Sequence, residues 1–106
     1  MEEVLEKVAI LMSTYNGQRY LLDQLKSIEL QDYGNIELFV RDDGSSDDTI
    51  SILREFEKSS VIPVTIFQGE NVGPAQGFWK LLHNENIKAK YYAYCDQDDI
   101  WDPDKV

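Results

Sequence analysis

Val8-Ala9-Ile10-Leu11-Met12-Ser13-Thr14-Tyr15-Asn16-Gly17 opens as an unbroken apolar run and then turns abruptly polar. Apolar residues at every position, without alternation, suit a strand buried on both faces, the kind a parallel sheet carries. Asn16-Gly17 supplies residues that accept left-handed backbone, so the strand is expected to end in a turn. Beyond it, Leu21, Leu22, Leu25 and Ile28 recur at helical spacing between Gln18 and about Gln31. That periodicity predicts an amphipathic helix.

The order strand, polar loop, helix then repeats. Ile36-Glu37-Leu38-Phe39-Val40 runs into Arg41-Asp42-Asp43-Gly44-Ser45-Ser46-Asp47-Asp48-Thr49, and a helix follows with Ile50, Leu53 and Phe56 on one stripe. Ser46 or Asp47 can cap that helix, and Asp47 and Asp48 read as first-turn acids favoured by its dipole. Pro63 to Phe67 is a shorter third strand. Gly73-Pro74 opens a third helix carrying Phe78, Leu81 and Leu82, with proline where a first-turn N–H is expendable. Tyr91-Tyr92-Ala93-Tyr94-Cys95 reads as a fourth buried strand emptying into Asp96-Gln97-Asp98-Asp99-Ile100-Trp101. Strands alternating with helices through short connections predict an α/β, Rossmann-like three-layer sandwich with a mainly parallel sheet covered on both faces. The loops Thr14 to Gly17, Asp42 to Ser46 and Asp96 to Asp99 would then share the carboxyl edge of the sheet, where open α/β folds bind ligands.

The 106 residues are enough for one domain with a modest core. Ten basic against twenty acidic residues give a formal charge of −10, which argues against a nucleic-acid partner and against an anionic membrane surface. Cys95 is the single cysteine, so neither an intrachain disulfide nor a thiolate zinc site is available to it, and it reads as a small core residue. The first residues lack a signal-peptide pattern and no apolar run is long enough to span a bilayer. A cytoplasmic location follows as the expectation, with the longer protein at the inner face of the membrane.

The acidic segment Asp96 to Asp99 places three carboxylates in four positions at a strand end. Their mutual repulsion is tolerable mainly where a hard dication offsets it. Asp96 and Asp98, at i and i+2, project from the same side of an extended chain. Oxygen ligands without His or Cys suit Mn²⁺ or Mg²⁺ rather than zinc. Such a cation would also reconcile an acidic chain with a phosphate ligand. Lys80, Lys88 and Lys90 read as solvated, His83 as a helix-surface residue and Trp101 as packing for the loop.

Four stretches in this order, Ser13 to Gly17, Asp42 to Thr49, Glu70-Asn71-Val72-Gly73-Pro74-Ala75 and Asp96 to Trp101, resemble the N-terminal, nucleotide-binding part of a family 2 glycosyltransferase with the GT-A fold. The likeness runs from Val8 to Val106, so residues 1–106 are expected to form the nucleotide-sugar-binding part of such a domain. The resemblance implies that Thr14, Tyr15 and Asn16 lie along the nucleoside, with Tyr15 offering a flat face to the base. It implies that Asp43 accepts the N3–H of uracil or thymine while Asp42 braces the loop, and that Asn71 passes near the nucleotide sugar. Asp98 would bind Mn²⁺ or Mg²⁺ directly. Asp96 would contact the ribose or reach the metal through water, and Asp99 the donor sugar or its loop. The form Asp96-Gln97-Asp98-Asp99-Ile100-Trp101 is similar to that of bacterial enzymes building surface polysaccharides, rhamnosyltransferases among them.

The activity so implied is metal-assisted, inverting transfer of a sugar from a UDP- or dTDP-linked donor to a hydroxyl of a saccharide or lipid-linked acceptor. The general base is expected beyond Val106, which makes the chain the donor-side piece of a longer enzyme, inactive by itself. A partial sheet is expected to leave a strand edge and apolar surface through which copies self-associate. A sugar-nucleotide-forming nucleotidyltransferase is the alternative, although its Gly-rich basic first loop is represented only by Gly17. A phosphoacceptor receiver domain needs an acidic pair after the first strand, where this chain has Ser13-Thr14-Tyr15-Asn16.

Overall fold

The computed structural model describes residues 6–84, 87–95, 100–103 and 105. The elements run β1 (Val8–Thr14), α1 (Leu21–Glu29), β2 (Ile36–Asp42), α2 (Thr49–Ser59), β3 (Val64–Gln68), α3 (Pro74–Leu82) and β4 (Tyr91–Cys95). The four strands pair in the order β3-β2-β1-β4, every pair parallel. Successive strands step outward from β1 to β3, and the connection through α3 then returns to the other side of β1. The order therefore reverses between β1 and β4, and the crevice at their carboxyl ends is a topological switch point.

Alternation along β1 and β2 sorts the core into two layers. Val8, Ile10 and Met12 with Ile36, Leu38 and Val40 pack against Leu21, Leu25, Ile28, Leu53 and Phe56 of α1 and α2. Ala9, Leu11 and Phe39 face the other way, onto Leu81 of α3 and Ile87. This is the three-layer α/β arrangement, with a thick layer under two helices and a thin one under α3. A fully buried Leu25 on the thick side contributes ~2 kcal/mol by area alone.

Some boundaries differ from the sequence reading. β1 and β2 continue through Thr14 and Asp42, because their register extends to a Thr14–Asp42 pair. α1 starts at Leu21 rather than Gln18. The carbonyl of Gly17 accepts the amides of both Tyr20 and Leu21, making a turn, while Gln18 bonds to the second loop instead of starting a helix. Leu22 is consequently exposed, and the buried stripe passes through Gln24.

The expectation that Tyr91 to Cys95 is a buried strand is corrected. Among the described residues β4 pairs with β1 alone, at the edge of the four-stranded sheet, and Tyr91, Tyr92 and Tyr94 are 55%, 44% and 37% exposed. Only Cys95, at the site end, is buried. Edge position, which a run of apolar letters does not encode, accounts for the difference.

Candidate functional site

The loops after β1, β2 and β3 meet at the carboxyl edge, and the second loop is tied to both of the others. Thr14 Oγ1 donates to Asp42 Oδ1 at 2.8 Å, and the Thr14 carbonyl accepts the Asp43 amide at 2.8 Å. Asp42 also accepts the hydroxyl and amide of Ser45, at 2.6 and 2.8 Å, so it braces the turn as expected. Asn16 adopts φ 46°, the left-handed conformation anticipated for this turn. Its amide donates to Ser45 Oγ and its Oδ1 accepts the Ser46 amide, both at 2.8 Å.

The expectation that Asp47 and Asp48 are first-turn acids is corrected: α2 begins at Thr49 with no acid in its first turn, Asp48 is its N-cap residue, and Asp47 acts from just before the helix. Its Oδ1 accepts the Thr49 amide at 2.9 Å, holding the start of α2, and its Oδ2 accepts the Gln18 amide at 3.3 Å. Burial alone would raise its pKa, but hydrogen bonds from the Thr49 hydroxyl and amide and from Gln18 outweigh that and hold the carboxyl below its ordinary 3.8.

On the α3 side of the same loop, Asp43 is tied to the third. Oδ1 accepts Arg41 Nη1 and the Val72 amide, each at 2.8 Å, and Oδ2 accepts the Gly73 amide at 2.9 Å. The carboxylate is 2% exposed and Arg41 7%. Burial pushes the Asp43 carboxyl up, yet the bonds from Val72, Arg41 and Gly73 and the charge of Arg41 prevail and keep it below 3.8. Arg41 Nη2 reaches the Glu70 carbonyl at 2.9 Å, so one guanidinium joins β2 to the third loop. Gly44, at φ 79°, takes a conformation L side chains rarely adopt, and a Cβ there would lie 3.2 Å from the Asn71 amide.

The structure thus brings Thr14, Asn16, Asp43 and the turn of Asn71 to one edge, with Tyr15 beside them at 45% exposure. The side chains of Thr14 and Asn16 are engaged by the second loop. Asp96, Asp98 and Asp99 lie outside the described residues, as does Gln97. Their flanks are described. Cys95, the last residue of β4, accepts Gln24 Nε2 at 3.2 Å, and the amide of Trp101 donates to Ser27 Oγ at 3.0 Å. Both flanks of the acidic segment are therefore fastened to α1. Cys95 is buried in the thick core, as read from the sequence, and Trp101, read as packing for the loop, is 5% exposed and joins the same core.

His83 follows the last residue of α3, its ring 4.1 Å from that of Trp79. That is the amino edge of the sheet, away from the crevice. Among the described residues no group of three or more His, Cys, Asp or Glu could hold a metal ion.

Arg41, Gln24 and Ser27 escaped the sequence reading as site residues. A buried Gln on a leucine stripe, and an Arg between a strand and two acids, were the available signals.

The comparisons agree with this geometry. The fold aligns with the mannosyltransferase PcManGT from Pyrobaculum calidifontis in complex with GDP-Man and Mn²⁺ at TM-score 0.83 and 24% identity, covering 92% of this chain and 29% of that one. It aligns with S. aureus TarS 1-349 in complex with UDP at TM-score 0.78 and 25% identity, again over 92% and 29%. The architecture is that of the GT-A glycosyltransferases, here its N-terminal part. Residues 9–106 match the model of glycosyl transferase family 2, and the chain belongs to that family.

Among its relatives, the dTDP-rhamnosyl transferase RfbG of Shigella flexneri is 37% identical over 98 residues, which are 90% of this chain and 34% of the relative. The putative teichuronic acid biosynthesis glycosyltransferase TuaG of Bacillus subtilis (strain 168) is 32% identical over 99 residues, 93% and 38% respectively. The chain spans about a third of the length of these curated relatives. No helix among the described residues is long and apolar enough to cross a membrane.

Proposed function

We propose that residues 1–106 are the nucleotide-sugar-binding part of a glycosyltransferase domain that moves a sugar from a nucleotide diphosphate donor to an acceptor hydroxyl. The observation that carries it is the convergence of the Thr14, Asp43 and Asn71 loops on the edge where β4 ends at Cys95. In this reading Tyr15, beside Thr14 and Asn16, gives a ring to the base. Asp43 accepts an N–H of the base through Oδ2, which among the described residues takes one bond where Oδ1 takes two. Asn71 lines the sugar side, Asp96 the ribose, and Asp98 holds Mn²⁺ or Mg²⁺ with Asp96, supported by Asp99.

A bound dication supplies charge stabilisation to the departing nucleotide diphosphate. The chain's own residues orient the nucleotide: the ties of Asp42, Asp43 and Asp47 fix the loops before ligand arrives, so little ordering is needed on binding. Transfer inverts the anomeric centre, with the general base supplied beyond Val106, so these residues alone bind donor without turnover. The dTDP-rhamnosyl and teichuronic acid names of the relatives favour a UDP- or dTDP-linked donor and a saccharide or lipid-linked acceptor in bacterial surface polysaccharide synthesis. That work takes place in the cytoplasm, at the inner face of the membrane. Self-association proceeds through the open β4 edge and its tyrosines. A strict monomer by light scattering at high concentration counts against that last point.

The deciding experiment is calorimetric titration with UDP, dTDP and GDP, with and without Mn²⁺. Metal-dependent binding of UDP or dTDP supports the reading, and failure of all three with Mn²⁺ present defeats it. Pyrophosphate release from a nucleoside triphosphate and a sugar phosphate would instead favour the nucleotidyltransferase alternative.

A further inference from the structure

We infer that Arg41 is the positioning residue for base selection, holding the Asp43 carboxylate in a single orientation and tying it to the turn of Asn71. The inference rests on the proposed nucleotide reading and goes beyond it, because Arg41 reaches the base only through Asp43.

The geometry is that of a built clamp. Two nitrogens of one planar guanidinium are committed to different segments, Nη1 to Asp43 Oδ1 and Nη2 to the carbonyl of Glu70. A fork of that shape fixes both direction and distance, which a lysine ammonium does not. Because Oδ1 is filled by Arg41 and Val72, the carboxylate cannot rotate without breaking both bonds, and Oδ2, which accepts the Gly73 amide, keeps acceptor capacity for a ligand.

The surroundings are cut to the guanidinium. A Cβ added at Gly69 would stand 2.3 Å from Nη2 and 2.8 Å from Cζ, and one at Gly77 would stand 3.4 Å from Nη1 and 2.8 Å from Ser13 Oγ. β3 is followed by a glycine, and α3 carries one on its inner face, where the arginine needs room. A long side chain can ordinarily swing away from such an intrusion. Here it would forfeit its bonds to Asp43 and Glu70 by doing so.

The consequence is selectivity. A carboxylate held ionised and fixed offers acceptors alone, so it rewards uracil or thymine, which present N3–H. It penalises cytosine, whose unprotonated N3 leaves two acceptors face to face. If Arg41 is removed, Asp43 can turn or take a proton, and a protonated carboxyl can donate to cytosine.

The test is the ratio of UDP to CDP affinity, measured by calorimetry with Mn²⁺ in the native protein and in Arg41→Met, Arg41→Lys and Gly69→Ala. The native protein is expected to prefer UDP. Arg41→Met is expected to lower that preference roughly tenfold or more, the worth of a charge-assisted bond. Arg41→Lys, which keeps the charge but not the fork, is expected to restore only part of it. Gly69→Ala displaces the guanidinium without changing any charge and is expected to weaken the preference in the same direction.

A folded Arg41→Met protein with the native UDP to CDP ratio overturns the inference while leaving the proposed function standing. If Arg41→Met does not fold, an unchanged ratio in Gly69→Ala overturns it equally. A native protein that binds UDP and CDP alike overturns the inference and leaves nucleotide binding standing, whereas failure of UDP, dTDP, GDP and CDP alike with Mn²⁺ present removes both.

Discussion

Asp42 and Asp43 are adjacent, buried and acidic, and they fasten the same loop in opposite directions with different chemistry. Asp42 shares the α1 and α2 side with Thr14 and is satisfied by neutral donors, the hydroxyls of Thr14 and Ser45 and the Ser45 amide. Asp43 turns to the α3 side and is satisfied by two amides and a buried cation. The thick layer under α1 and α2 supplies packing to the first tie, whereas the thin layer under α3 leaves the second dependent on its ion pair. Breaking a buried pair by removing one partner is costly because it strands the other charge, although the intact pair adds little net stability.

The largest effect should therefore come from Arg41→Met, which strands Asp43 at 2% exposure. A loss of ~3–5 kcal/mol is expected from urea unfolding monitored by circular dichroism. Asp42→Ala should cost less, about 1–3 kcal/mol, the penalty for leaving the buried Thr14 hydroxyl without its acceptor. Equal losses in the two variants would break the comparison, since charge would then not distinguish the ties. Asp47→Ala removes the acceptor at the start of α2 and should cost ~1 kcal/mol in the same assay. It also serves as a control on selectivity. Asp47 holds the first loop and makes no bond to Asp43 or Arg41, so its loss should weaken UDP and CDP together and leave their ratio unchanged.

The difference between the two ties also marks what a sequence can disclose. The alternation of strands with helices, and with it the convergence of polar loops, followed from runs such as Val8 to Met12 and Ile36 to Val40, because a doubly buried strand has a local signature, whereas the order β3-β2-β1-β4 was not legible. Asp42 was legible as a brace because one of its partners, Ser45, lies three residues on, whereas its tie to Thr14 and the tie of Asp47 to Gln18 cross from one loop to another and were not. Arg41 was not, because its meaning comes from Asp43 in one direction and from Glu70, Gly69 and Gly77 in the other, all brought near by the sheet. The exposure of Tyr91, Tyr92 and Tyr94 was missed for the same kind of reason: an apolar run does not reveal whether its strand has one neighbour or two. Gln24 and Ser27 became meaningful only when Cys95 and Trp101 were seen folded back onto α1.

The smallest effect is the most discriminating, and it concerns acid. Asp43 and Asp47 both have carboxyls held below the ordinary 3.8 in the folded protein. A depressed folded pKa means the charged form is favoured by folding. Its stabilisation is therefore complete above the unfolded value of about 3.9 and is lost as pH falls through the folded one. The native protein should hold its stability down to about pH 4 and lose it progressively below. In Arg41→Met, burial still disfavours the Asp43 charge while the cation's bond and field are gone. The Asp43 pKa should then rise, and the acid limb of a stability-against-pH curve should move to higher pH. Asp47→Ala should make the limb shallower without moving it upward, because it deletes a titrating group and leaves the Arg41 pair intact. Two variants shifting the limb alike would mean that the two sides of the loop are one electrostatic unit. Separate behaviour would establish that the α3-side tie alone is held by charge.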